Sequence, residues 1–195
     1  MKIYVDREGD APSPRRVRMF LAEKGLDIPY ERLEIHKENR TEAFRKKNPL
    51  STLPVLELDD GRCLSESIAI CRYFEAVHTE PPLFGRSPFE QGEIEMWLRR
   101  VELRLYLPIE FASEKVLPAE SAALFRRGAS RAMQFFDGAL ADREFVAGAG
   151  YTIVDVVTLC ALDFGVAHNG IEIPADCPNL AAWHRRVSSR PSAQA

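Results

Sequence analysis

The chain has 195 residues, 46% of them hydrophobic and 28% charged, a balance that suits one or two globular domains with a sizeable core. Its 26 basic and 29 acidic residues leave a formal charge of −3, which gives no electrostatic footprint for a nucleic acid. No stretch reaches the roughly 20 apolar residues that cross a bilayer, and MKIYVDREGD turns charged too soon for a signal peptide, so a cytoplasmic protein without a membrane partner is expected.

The first third alternates in type. Residues 2–5 (KIYV) read as a short strand, and 14–24 as a helix with Val17, Phe20 and Leu21 at helical spacing and Gly25 as its C-terminal cap. Residues 29–35 alternate like a half-buried strand. A charged helix near 40–47 stops at Asn48-Pro49, because proline disfavours helical geometry in the residue before it. A strand at 54–58, an Asp59-Asp60-Gly61 turn, a strand at 62–64 and a helix over 66–77 complete a βαβαββα order. That order implies a small mixed sheet carrying helices, residues 1–78.

Residues 79–90, with three prolines and a glycine and no apolar period, read as a linker. The rest, 91–195, is expected to be an all-α bundle. Ile94, Trp97, Leu98, Val101 and Leu105 form one apolar stripe; Phe125, Ala129, Ala132, Met133, Phe136 and Leu140 form another. In 145–168, apolar residues surround the helix on every side, as in a central buried helix. Thr152 and Asp155 have capping-box spacing, with Tyr151 placed to staple against Val156. Asp155 is therefore assigned to folding rather than to catalysis. The Arg pairs at 15–16, 99–100, 126–127 and 185–186 read as solvated helix faces. Cys63, Cys71, Cys160 and Cys177 form no C-x-x-C pair and have no His at ligand spacing, so neither a metal nor a disulfide framework is expected. All but Cys63 are expected to be buried thiols.

The segment LSTLPVLELDDGRCLSES, residues 50–67, carries the chemistry. Pro54 has no amide to donate, so it suits the first residue of a strand. Were the Leu53-Pro54 bond cis, the Leu53 amide and carbonyl would turn outward and could pair with an extended peptide. Glu66 and Ser67 open the next helix, where unpaired amides and the dipole favour a carboxylate ligand and Glu66 can receive an ammonium. The plainer alternative is that Ser65 caps this helix and Glu66 only complements its dipole.

Together, NPLSTLPVLELDDGRCLSES, VAGAGYTIVDVVTLCAL and PNLAAWHRRVSSRP resemble, in order and across nearly the whole chain, the glutathione-site motif, core helix and closing helix of the glutathione S-transferase family. The resemblance implies a thioredoxin-like domain followed by an all-helical domain, glutathione as cosubstrate, no metal, a homodimer and a role in detoxification. It implies that Leu53, Pro54, Glu66 and Ser67 bind glutathione. Ser51 departs from the family, many of whose members carry glycine there, which should alter the turn more than the site.

Family members activate the glutathione thiol with a Tyr, Ser or Cys near the end of the first strand. Here that region reads REGDAPSPRRVR, and Ser13 is its only hydroxyl. Ser13 before Pro14 also has the pattern of a helix cap, and backbone amides at this helix start are a further way to activate the thiol. Lys37 is placed to pair with the glycine carboxylate of glutathione. The resemblance puts the electrophile pocket between the domains, with Tyr106 as a candidate wall. A glutathione-dependent disulfide or peroxide reductase and a non-catalytic interaction protein of transferase fold are the alternatives. The absence of Cys near position 13 argues against the first, and Glu66-Ser67 against the second.

Overall fold

The computed structural model describes residues 1–195 as two compact units, Met1–Pro81 with Gln194–Ala195, and Pro82–Ala193. The first contains β1 (Lys2–Asp6), α1 (Pro12–Glu23), β2 (Tyr30–Leu33), a 3₁₀ turn (Glu38–Arg40), α2 (Glu42–Lys47), β3 (Val55–Glu57), β4 (Cys63–Ser65) and α3 (Ser67–Val77). The sheet order is β2-β1-β3-β4, with β1 and β2 parallel and the other pairs antiparallel. This is the thioredoxin-like βαβαββα arrangement.

Strand alternation explains the layering. Ile3 and Val5 are fully buried, as are Val17, Phe20 and Leu21 of α1 and Ile70 and Cys71 of α3, and α1 packs against α3. Tyr4 joins Leu33, Phe44 and Val55 in a separate cluster, its ring meeting Phe44 edge-on at 5.6 Å. Gly25, at φ 64°, ends α1 with a backbone conformation that a Cβ would oppose. Arg16 is 3% exposed, so the first arginine pair is not a solvated face; its helix turns that residue into the fold.

The second unit contains α4 (Pro88–Arg100), a π-helical segment (Val101–Tyr106), α5 (Leu107–Phe111), α6 (Ala119–Ala139), α7 (Ile153–Asn169), α8 (Pro178–Ser188) and all but the last residue of a terminal 3₁₀ turn (Pro191–Gln194). The Ile94 stripe is buried throughout, and so is the second stripe apart from half-buried Phe125. The segment expected as linker already contains a helix start. Ser87 accepts from the Glu90 amide at 3.2 Å, Glu90 accepts from the Ser87 amide at 3.1 Å, and Pro88 holds the first helical position, where its missing amide costs nothing. The last two residues group with the first unit, outside the helical domain expected over 91–195.

The capping box at the start of α7 is built as its spacing implies. Thr152 Oγ1 accepts from the Val154 amide at 3.2 Å, and Asp155 accepts from the Thr152 amide at 3.0 Å. The other Asp155 oxygen accepts from the Val146 amide at 3.0 Å and from Trp183 Nε1 of α8 at 2.9 Å. Burial pushes the Asp155 carboxyl up to about 6, against the donors that favour its charged form. The Tyr151 ring is engaged by Phe145 edge-on at 6.0 Å and by the Arg190 guanidinium at 4.0 Å. No helix is long and apolar enough to cross a membrane.

Candidate active site

Strand register gathers the sequence-predicted residues of the first unit. Tyr4 lies opposite Val55, Val55 opposite Ser65, and Asp6 opposite Leu33. Continuing each ladder in the same direction brings together, at one end of the sheet, the chain leaving β1 toward Ser13, Leu53-Pro54, Glu66-Ser67 and the turn after β2 that carries Lys37.

The loop before β3 is held by buried amides. Asn39 Nδ2 donates to the Ser51 carbonyl at 2.7 Å while its oxygen accepts from the His36 amide at 2.7 Å; Asn48 Nδ2 donates to the Thr52 carbonyl at 2.9 Å. Ser51 is buried at φ 58°, a conformation glycine adopts without strain, so this position bears on the turn. Beyond it the Leu53-Pro54 peptide is cis, and neither backbone group of Leu53 is taken up by another residue of the chain.

The start of α3 differs from the plain capping alternative. Ser65 lies in β4, Glu66 occupies the N-cap position at φ 70°, and the helix has no side-chain cap. Ser67 is buried, and the Glu66 side chain is exposed beside the uncapped amides of the first turn.

The capping role considered for Ser13 is overturned. The first helix begins at Pro12 with Ala11 as its N-cap residue and no side-chain cap, so Ser13 is the second helical residue, half-buried. The amide of Ala11 is already held by Asp6 at 3.0 Å, and the Arg15 amide by the Ala11 carbonyl at 3.2 Å. Pro12 and Pro14 have no N–H. The donors left in the first turn are the amide and hydroxyl of Ser13, which narrows backbone activation to a single group.

Two residues that the sequence reading passed over brace this turn. Asp6 is fully buried, with Oδ1 3.7 Å from Arg18 Nη1, and Arg18 Nη2 donates to the Gly9 carbonyl at 2.5 Å. This pair clasps the loop from both sides. A buried acid and base twelve residues apart leave no signal in apolar periodicity, because the contact depends on how the helix folds back on its strand.

Lys37 side-chain exposure is 73%, and it pairs with Glu34; that hydrogen bond raises the Lys37 ammonium above its ordinary range and holds the Glu34 carboxyl below its own. Tyr106 ends the π-helical segment of the helical unit, half-buried.

A thioredoxin-like sheet with two helix starts left uncapped at one end, followed by an all-helical unit, defines the class of protein. Residues 11–77 match the family "Glutathione S-transferase, N-terminal domain", and residues 105–191 match "Glutathione S-transferase, C-terminal domain". Glutathione S-transferase 2 of Saccharomyces cerevisiae is 34% identical over 195 residues, covering 93% of this chain and 83% of the yeast protein. A glutathione S-transferase domain-containing protein of Marinobacter aquaeolei has a crystal structure that superposes with a TM-score of 0.90 at 34% identity, over 98% of this chain and 99% of that one. A glutathione S-transferase of Methylobacterium radiotolerans, solved in complex with glutathione sulfonate, superposes with a TM-score of 0.79 at 27% identity, over 98% and 91% of the two chains. The chain belongs to the glutathione S-transferase family.

Proposed function

We propose that the protein is a glutathione transferase, which activates the glutathione thiol for attack on a small, largely apolar electrophile. The observation that carries this is the strand register, which aligns an outward-facing Leu53 backbone with two uncapped helix starts at one sheet end. The γ-glutamyl carboxylate takes the Ser67 hydroxyl and the first-turn amides of α3, and Glu66 takes the ammonium. Leu53 pairs with the peptide backbone of glutathione beside Pro54, and Lys37 serves the glycine carboxylate once exchanged from Glu34.

Ser13 donates to the sulfur and favours its ionised form. The thiol proton leaves to solvent and a sulfur–carbon bond forms. A halide leaves with its bonding pair, whereas in an enone the π pair shifts onto the carbonyl oxygen and the enolate takes a proton from solvent. The electrophile contacts Tyr106. The cytoplasm suits this role, since it keeps glutathione reduced.

A homodimer is part of the same proposal. Phe89, Met96, Leu103 and Leu107 are exposed at spacings that put them on one side of the long α4-to-α5 rod, an apolar stripe that a second copy would cover.

The test is calorimetry with glutathione followed by a panel of aryl halides, enones, disulfides and peroxides. The proposal expects glutathione binding and conjugation of the carbon electrophiles. Turnover confined to disulfides or peroxides would make the protein a reductase, and no binding would make it a transferase-fold interaction protein.

A further inference from the structure

The start of α1 lacks the ties that ordinarily fix a helix end. It has no side-chain cap, and prolines at its first and third positions remove two amides. Its placement comes instead from two side chains elsewhere in the first unit. Asp6, at the end of β1, accepts from the Ala11 amide at 3.0 Å, and Arg18, in the second turn of α1, donates through Nη2 to the Gly9 carbonyl at 2.5 Å. Arg18 Nη1 lies 3.7 Å from Asp6 Oδ1, which joins the two holds, and Nε donates to the Ala195 carbonyl at 3.4 Å. Gly9 itself is at φ 83°, a left-handed conformation that glycine adopts without strain.

Stability alone is a poor account of this arrangement. Asp6 is fully buried and the Arg18 side chain is 8% exposed, and taking two charges out of water offsets most of what their attraction returns. What a planar, multiply bonded guanidinium supplies is a fixed geometry. The geometry fixed here is that of Gly9 and Ala11, the latter two residues before Ser13. A hydroxyl favours a thiolate only within hydrogen-bond reach, and a misplacement of about 1 Å can cost up to about a hundredfold in rate.

On the reading of the protein as a glutathione transferase, we infer that Asp6 and Arg18 are positioning residues for the reaction. They set the place of the Ser13 hydroxyl against the glutathione sulfur, and so the ionisation of the thiol, acting through Ser13 rather than on glutathione.

The experiment is a titration of the thiolate absorbance of bound glutathione, with kcat/KM for an aryl halide, on the intact protein. It compares wild type, Ser13→Ala, Asp6→Asn/Arg18→Gln and Arg18→Lys, with the last two made also in the Ser13→Ala background. Asp6→Asn/Arg18→Gln removes both charges together and strands neither in the interior. Arg18→Lys keeps a charge beside Asp6 without the planar fork, and carries the test if the double variant does not fold. The expected result is a thiolate midpoint displaced toward the free-thiol value in both, further in the double variant, with kcat/KM lowered about tenfold or more and glutathione affinity little changed. In the Ser13→Ala background neither should move the curve again, because the group they place is gone. A pair that only stabilises the fold would lower the denaturation midpoint and leave the thiolate curve unmoved. A pair that acts on the thiol directly would displace the curve equally with and without the Ser13 hydroxyl. Either result, beside a displaced Ser13→Ala curve or a lowered wild-type midpoint, overturns this inference alone. Coincident curves for wild type and Ser13→Ala would overturn the role of the hydroxyl and the inference with it, and no glutathione binding would overturn the transferase reading itself.

Discussion

The starts of α4 and α7 in the helical unit and of α1 and α3 in the thioredoxin-like unit are finished in opposite ways. Thr41 caps α2, and the starts of α5, α6 and α8 have no side-chain cap. In the helical unit, α4 and α7 each begin with a complete capping box, Ser87 with Glu90 and Thr152 with Asp155, so that their first amides are spent inside the fold. In the thioredoxin-like unit, α1 and α3 have no side-chain cap, and two of the three first positions of α1 are prolines. The four starts share one physical problem, unpaired amides at a positive dipole end, and solve it for different purposes. At α4 and α7 the protein supplies its own oxygen acceptors. At α1 and α3, on the proposed function, an anionic peptide would complete the helix.

If that contrast holds, substitutions at the two kinds of start separate stability from binding. The largest effect is expected at Asp155. Replacement by Asn puts an amide group against donors that now meet an oxygen, and should cost about 3 kcal/mol of stability or more while glutathione affinity per folded molecule is kept. Its pH dependence has a definite sign. The folded-state value of about 6 lies above the ordinary 3.8, so the native state binds the proton more tightly. The stabilisation from this group is therefore complete below about pH 4 and lost as pH rises through about 6, an effect of roughly 3 kcal/mol. Denaturation midpoints of wild type and Asp155→Asn should thus differ most near pH 4 and converge toward pH 7. A gap that widens with pH would reverse the assignment.

Next in size is Ser67→Ala, which tests the opposite half of the contrast. It should weaken glutathione by about 1–3 kcal/mol, the range for hydrogen bonds that involve charge, and leave the denaturation midpoint nearly where it was. Calorimetry showing unchanged affinity would remove α3 from the site. The smaller change is Thr152→Ala, expected to lower stability by about 0.5–2 kcal/mol without touching turnover per folded molecule. Loss of turnover at constant stability there would mean that capped and uncapped starts are not divided by function.

The capped half was the more legible in the sequence. Thr152 and Asp155 stand three apart before a long apolar run, and all the partners of a capping box lie within one helical turn, so local spacing suffices. Ser87 to Glu90 carries the same signal, but it sits among prolines that read as breakers, although proline at the first helical position marks a beginning. At the proposed ligand site, Leu53, Pro54, Glu66 and Ser67 flank one hairpin, and it is the family resemblance that singles them out. The positive φ of Glu66 was not legible, since it follows from strand pairing and leaves no trace in residue type. Ser13 shows the limit of local reading most clearly. Its neighbours fit a cap, yet the chain starts the helix two residues earlier, at Pro12, with Asp6 holding the Ala11 amide. Nor could apolar spacing reveal the π-helical turn at 101–106, whose stripe stays buried at Val101 and Leu105.

The central claim is that the uncapped start of α1 ionises the glutathione thiol through Ser13. The direct measurement is the thiolate absorbance of bound glutathione as a function of pH, in wild type and in Ser13→Ala, which keeps the Ser13 amide and removes only the hydroxyl. The account predicts a wild-type midpoint well below the free-thiol value of about 8.5, and a curve for Ser13→Ala displaced back toward it, with kcat/KM lowered and glutathione affinity little changed. Superimposable curves would contradict it and leave the amide at position 13 as the activating donor.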